Sequence, residues 1–183
     1  KKHKTPRAIM ISESHNHEKW NALKILKSNG QFLHTEDVQK VIKETKRTQS
    51  NKEKPGNLSS YANALDDHIN LILSQNFINK NNIASKSIAV AVDGINSVGG
   101  VAIPKFLESL GIKKIKKINC NPDGNFNHNP EPLPENITDL CSEVKKGKYQ
   151  LGIVVDPDAD RLVLVDERGE PFGEEYTLVA AAE

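Results

Sequence analysis

Long hydrophobic runs are missing from this sequence. None approaches the roughly 18 consecutive apolar residues that a membrane-crossing helix needs, so no span is expected. Cysteine is scarce as well. Cys120 and Cys141 are the only two, and they lack metal-motif spacing. Reduced, partly buried thiols in a cytoplasmic protein are the simplest expectation. No charge sign dominates: 25 Lys+Arg face 24 Asp+Glu, for a formal net charge of +1. That balance gives no case for nucleic-acid binding. The basic start KKHKTPR has no interleaved aromatic residue and reads as a solvated end, not a targeting signal. Internal repeats are absent, and the Asn and Lys richness is mild. There is no initiating Met, since Met10 is the only one, and the chain stops at Ala181-Ala182-Glu183 inside what reads as a new helix. We therefore expect a piece of a longer protein. What is present, 37% hydrophobic and 27% charged residues over 183 positions, suits one good soluble globular domain or two small ones.

The most informative stretch is DPDADR, Asp156 to Arg161, directly after the apolar run Leu151-Gly152-Ile153-Val154-Val155. A buried strand is expected to end in a tight acidic loop. Three carboxylates at alternate positions repel one another unless a cation joins them. Oxygen-only ligands favour a hard ion such as Mg²⁺ or Ca²⁺. Arg161 adds a fixed positive charge suited to phosphate, and the combination points to phosphoryl handling. Two rival readings exist. Acidic turns after strands are often merely solvated. Asp156, Asp158, Asp160 and Glu167 also fall at positions 1, 3, 5 and 12 of an EF-hand calcium loop. Arg161 stands where that loop needs Gly, however, and the flanks read as strands rather than helices.

Along the chain, Ala8–Ile11 reads as a short strand. A helix is expected from about His17 to Ser28, with Trp20, Leu23 and Leu26 as its apolar stripe, Asn16 as N-cap and Asn29-Gly30 as its stop. Phe32-Leu33 reads as extended. Thr35 is placed as the cap of a second helix with Val38, Val41 and Ile42 inward. The polar stretch from Thr48 to Ser60 reads as a linker. Another helix follows from about Tyr61 to Gln75, and NFINKNNIASKS is polar. Residues 88 to 171 alternate strand, helix, strand, helix, strand, strand: Ile88–Val92, Gly99–Leu110, Ile115–Cys120, a helix carrying Ile137, Leu140, Cys141 and Val144, then Leu151–Val155 and Leu162–Val165. That order implies an open, largely parallel α/β sheet. Ligands of such sheets gather outside the carboxyl ends of the strands, where Asp93 and Asp156 lie.

Two further sites draw attention. Ser14, with His15 and Asn16 beside it, lies at a strand-to-helix junction. The free N–H groups of a helix start would stabilise a phosphate there, although these are also ordinary capping residues. Lys24, ten residues on, could reach back toward that loop or simply be a surface lysine. His3, His17, His34 and His68 show no ligand spacing. The proline-rich run NFNHNPEPLP around His128 has no evident reason at this level.

Together these stretches resemble one family, the α-D-phosphohexomutases: the phosphoglucomutase, phosphomannomutase and phosphoglucosamine mutase enzymes. ISESHNHEKWNALK resembles the family's T-A-S-H-N-P loop with the aromatic, N-G and K that follow it. DPDADR resembles its D-G-D-G-D-R metal loop. VDGINSVGG and NPDGNFNHNPEPLPENI resemble the glycine turn and the P-D-G-x-F segment of its second domain. The four motifs stand in the family's order, and the resemblance covers about residues 8 to 183.

The resemblance implies that residues 1–62 are the C-terminal part of domain I, an α/β domain. It makes 63–171 domain II with the metal loop and 172–183 the start of domain III. Ser14 is then the serine that becomes phosphorylated, and Asp156, Asp158 and Asp160 hold Mg²⁺ with a phosphoserine oxygen as fourth ligand. Arg161 and Lys24 stand beside the transferring phosphoryl group, and His15 and Asn16 shape the serine loop. The implied reaction moves phosphate between C1 and C6 of a hexose phosphate through a hexose 1,6-bisphosphate. The sugar-selecting loop of domain III and the phosphate-gripping loop of domain IV are expected outside this chain. This fragment alone is therefore expected to be inactive, or to be a non-catalytic metal-binding remnant. Three departures stand out: Ser12-Glu13 for Thr-Ala, His17 for Pro, and Ala22 for Gly. Glu13 brings negative charge next to the phosphate-bearing serine.

Overall fold

The structure, a computed structural model, describes residues 5–12, 22–46 and 56–182. The chain divides into two compact units, the first reaching Tyr61 and the second running on from Ala62.

In the first unit, β1 (Arg7–Ile11) pairs antiparallel with β2 (Leu23–Lys27), from Arg7 opposite Lys27 to Ile11 opposite Leu23. The helix expected over His17–Ser28 is therefore corrected. Its described part is a strand, and residues 17–21 lie outside the described region. The spacing of Leu23 and Leu26 suits a helix, but the Leu-Lys-Ile-Leu-Lys backbone is claimed by the ladder to β1, a partner that local periodicity does not show. Asn29-Gly30 is a turn after a strand, with Gly30 at φ +87°, and Phe32 folds back to bridge Leu26. The following helix, α1 (Thr35–Thr45), has His34 at its cap position and Thr35 as its first helical residue, one place from expectation. Glu36 and Asp37 occupy its first turn. Ile42, expected inward, is 43% exposed.

The second unit opens with α2 (Ala64–Leu73), whose Ile69 is buried. The short α3 (Lys80–Ser85) then appears where only a polar segment was expected; the Asn79 side chain caps it by accepting from Asn82 N–H. Next come β3 (Ala89–Asp93), α4 (Gly99–Ser109), β4 (Lys114–Ile118), α5 (Thr138–Gly147), β5 (Leu151–Val155), β6 (Leu162–Val165) and α6 (Glu174–Ala182). The sheet order is β4-β3-β5-β6. β3 is parallel to both neighbours, and β6 is antiparallel to β5. This is the open, mostly parallel α/β sheet that the alternation of apolar runs implies.

Side chains alternate faces along a strand, so the sheet builds two cores. Val90, Val92 and Ile153 pack with Leu107 and Leu110 on the α4 side. Ala91, Val154 and Val163 pack with Leu140 and Val144 on the α5 side. Gly100 lets α4 sit close: a Cβ there would lie 2.6 Å from the Cys120 Cα. β4 is an edge strand. Its outward lysines are occupied, Lys116 with Glu143, Lys117 with Glu108, and Lys114 over the Tyr149 ring. On the other edge, the segment after β6 turns back at Gly169, and Phe172 N–H donates to Leu164 O.

Candidate functional site

The site grows from the carboxyl ends of β3 and β5. These strands are in register, Asp93 opposite Val154. By alternation, Asp93 and Asp156 leave the sheet on the face that carries α5. The chain leaves β3 toward β4 on one side, while β5 lies on the other, so this is the topological switch point where α/β sheets form a crevice.

Asp156 directly follows β5 and is buried. Its Oδ1 accepts from the backbone N–H of Asp160 at 3.0 Å and of Arg161 at 3.2 Å. Its carbonyl accepts from Ala159 N–H at 3.0 Å. One carboxylate thus folds the loop around itself. The turn needs Ala159 at φ +59°, a left-handed conformation unusual for a residue with a Cβ. Ser97, in the turn after β3, ties the loop down by donating its hydroxyl to Pro157 O at 2.6 Å. Val155 opposite Leu162 closes it.

The result is that carboxylate oxygens of Asp156, Asp158 and Asp160 all lie within 4.8 Å of one another, graded from buried to exposed. Among the described residues no other acidic, His or Cys group forms such a cluster. Burial pushes the Asp156 carboxyl above its usual range, and the neighbouring Asp158 and Asp160 charges push it further. An all-oxygen donor set with crowded like charges fits a hard divalent cation. The flanks are β5 and β6, not helices, so the calcium EF-hand is set aside.

Arg161 closes the loop and donates from Nη1 to Glu131 Oε1 at 2.8 Å. Glu131 lies in the proline-rich loop between β4 and α5. That loop is pinned to the sheet by a second polar centre. Asp93, fully buried, accepts from Ile95 N–H at 3.0 Å and from Asn119 Nδ2 at 3.2 Å, and faces His128 Nε2 at 3.1 Å. The other ring nitrogen of His128 faces Asn129 O at 2.8 Å. Both ring nitrogens meet acceptors, which the doubly protonated ring satisfies. The hydrogen bond to Asp93 accordingly raises the His128 pKa, against an opposing effect of burial. Neither Glu131 nor His128 stands out in the sequence as a site residue, although both lie in the NPDGNFNHNPEPLPENI segment. Their partners are 30 and 35 residues away, beyond what a local motif or the density of Pro and Asn can show.

Of the site residues expected from sequence, Asp156, Asp158, Asp160 and Arg161 are brought together in the second unit. Ser14, His15 and Asn16 lie outside the described residues. Lys24 stands in the first unit on β2, opposite Met10, and not on a helix. Among the described residues, no helix is long and apolar enough to cross a membrane.

Known proteins match along most of the chain. The family model described as "Phosphoglucomutase/phosphomannomutase, alpha/beta/alpha domain II" matches residues 61–169, and the corresponding domain I model matches residues 1–52. A probable phosphoglucosamine mutase of Methanococcoides burtonii is 32% identical over 166 residues, covering 88% of this chain and 36% of that protein. A phosphoglucomutase of Neisseria gonorrhoeae is 31% identical, over 88% of this chain and 34% of its own length. The chain thus spans about a third of the curated relatives it matches. In fold, a putative phosphomannomutase from Thermus thermophilus superposes with a TM-score of 0.80 over 99% of this chain and 41% of that one, at 19% identity.

Proposed function

Because the chain belongs to the phosphoglucomutase/phosphomannomutase family, we propose that it is the serine-loop and metal-loop part of a phosphohexomutase. In this reading residues 1–62 belong to domain I, 63–171 to domain II and 172–183 to domain III. The substrate is a hexose phosphate of the glucose, mannose or glucosamine type named among the relatives. The reaction moves a phosphoryl group between C1 and C6 by way of a hexose 1,6-bisphosphate. The observation that carries the reading is the convergence of the Asp156, Asp158 and Asp160 carboxylates in the loop after β5, with Arg161 next in the chain.

The residues have complementary tasks. The Ser14 hydroxyl carries the phosphoryl group, passes it to a sugar hydroxyl, and takes back the phosphate from the other end of the bisphosphate. His15 and Asn16 shape its loop. Arg161 offers a planar pair of N–H donors to the equatorial oxygens of a loose transition state. Lys24 supplies a second positive charge or exchanges a proton with the attacking hydroxyl. Asp156, Asp158 and Asp160 would hold Mg²⁺, with a Ser14 phosphate oxygen as a further ligand. Once bound, the ion neutralises charge developing on the phosphoryl oxygens.

The test uses the longer protein that supplies the remaining mutase domains. After incubation with a hexose 1,6-bisphosphate, mass spectrometry is expected to find phosphate on Ser14, and Ser14→Ala is expected to abolish nearly all interconversion of hexose phosphates. Native-rate turnover by Ser14→Ala would refute the covalent route. Absence of both phosphate uptake and turnover in the unmodified protein would favour a non-catalytic, metal-binding remnant.

A further inference from the structure

The turn that follows β3 is strained. Ile95 at φ +48° and Asn96 at φ +52° are consecutive left-handed residues, and neither is glycine. A β-branched side chain is rarely found there. Strain of this kind persists only where the surroundings impose it, and such places gather at functional sites. Here they do impose it. Ile95 is fully buried, and its N–H donates to Asp93 Oδ1 at 3.0 Å. Gly94 lies so close to α4 that a Cβ on it would stand 2.2 Å from the Gly100 Cα. Asn96 holds the loop beyond β4 with both ends of its side-chain amide. Its Oδ1 accepts from Asn121 N–H at 3.2 Å, and its Nδ2 donates to Asn125 O at 2.8 Å.

Ser97 comes next, just ahead of α4, where a serine ordinarily caps the helix by accepting from its first N–H groups. Its hydroxyl is turned elsewhere. It donates to Pro157 O at 2.6 Å, across 60 residues of sequence. Pro157 separates the first two carboxylates of the acidic cluster, Asp156 and Asp158. Its ring fixes its own φ and biases Asp156 toward extended backbone. The torsion left to swing Asp158 is the ψ of Pro157, which turns the carbonyl and the planar peptide leading to Asp158 together. A hydrogen bond held on that carbonyl locks the torsion. Asp160 is placed separately, by its N–H on Asp156 Oδ1. Contacts among the carboxylates must be exchanged when a cation enters, whereas the clamp on Pro157 lies on the backbone and stays.

We propose that Ser97 is a positioning residue of the cation site. Its hydroxyl, aimed by the strained turn, fixes the Pro157 carbonyl and so keeps Asp158 in the ligand set with Asp156 and Asp160. In an unclamped loop, mutual repulsion would spread the three carboxylates, and a cation would have to gather them again at the expense of affinity. This rests on the cation part of the function proposed above. It also gives a purpose to a β-branched residue kept at positive φ: the turn aims two adjacent side chains, Asn96 and Ser97, at two different loops.

The experiment uses this 183-residue chain, with Mn²⁺ as the probe and binding read by isothermal calorimetry near physiological ionic strength. Neither serine nor alanine is charged, so Ser97→Ala leaves the attraction for the cation unchanged and removes only the clamp. It is expected to weaken Mn²⁺ binding by about threefold or more, the scale of one neutral hydrogen bond. Ser97→Thr keeps the hydroxyl and is expected to bind within about twofold of the wild type. Protection of the β3 amides from hydrogen exchange is read on each variant. Unchanged binding in Ser97→Ala would overturn the proposal. So would weaker binding accompanied by lost β3 protection, which marks general loosening, and so would a folded Ser97→Thr that binds as weakly as Ser97→Ala. Should threonine itself expose the β3 amides, the alanine result decides alone. Wild-type chain that binds no Mn²⁺ would defeat the metal-site reading and this proposal together. Wild-type binding that Ser97→Ala leaves intact defeats only the role of Ser97.

Discussion

Replacing His128 with Ala should loosen the whole second unit, not only its surface loop. The reason is Asp93, which is fully buried beneath the ring. The substitution removes one charge-assisted partner but leaves the donors from Ile95 and Asn119 in place. The loss should therefore match one hydrogen bond to a charged group, about 2 kcal/mol, and fall short of the roughly 3–5 kcal/mol for stripping a buried ion pair outright. Native-state hydrogen exchange at the Val90, Ala91 and Val92 amides of β3 reads this directly, because these residues are fully buried in the centre of the sheet. About 2 kcal/mol appears there as roughly 30-fold faster exchange.

The pH dependence follows from the sign of the shift. The folded pKa of His128 is raised, so its contribution is complete below about 6.5, the unfolded value, and is lost as pH rises through the folded value. Stability of the wild-type sheet should fall as pH climbs from about 6.5, at no more than about 1.4 kcal/mol per pH unit for one proton. This fall should be absent in the variant. Asp93 and, more weakly, Asp139 are the charges that favour the protonated ring. The window stays below the range in which Cys120, raised by burial, would enter. Unchanged protection in His128→Ala, or a pH slope that survives it, would refute the argument.

Three further outcomes are expected. Gly100→Ala should destabilise the second unit by about 2 kcal/mol or more, because the new Cβ would meet backbone at 2.6 Å; urea unfolding checks it. Asp158→Asn should weaken divalent-cation binding several-fold with little change in stability, since the residue lies in a loop outside both cores; calorimetry with Mn²⁺ and the unfolding midpoint separate the two effects. Ala159→Gly should raise stability by about 0.5–1 kcal/mol by relieving a Cβ at φ +59°, measured by thermal unfolding.

The second unit was legible because its signals are local. Buried parallel strands read as apolar runs, and Leu151–Val155 and Leu162–Val165 were placed at their observed bounds. The acidic loop announced itself by spacing. The failures share a cause in pairing across distance. Leu23–Lys27 has a helical rhythm, yet β1 recruits it into a ladder. The Glu131–Arg161 and Asp93–His128 contacts join segments that nothing in the local pattern connects. The short α3 was missed because its polar residues present no stripe, and its Asn79 cap was the available signal.

The two borders of the second-unit sheet have a consequence for the chain in a crowded solution. An open sheet invites a copy of itself to add another strand. Here β4 would have to bring Lys114, Lys116 and Lys117 against the same lysines of the newcomer, while the far side of β6 already spends a carbonyl on Phe172. Growth into a stacked ribbon is discouraged at both borders, by charge at one and by prior occupancy at the other. Replacing the β4 lysines with threonine would keep the strand and remove that protection, turning a self-limited sheet into a seed for fibre-like assembly.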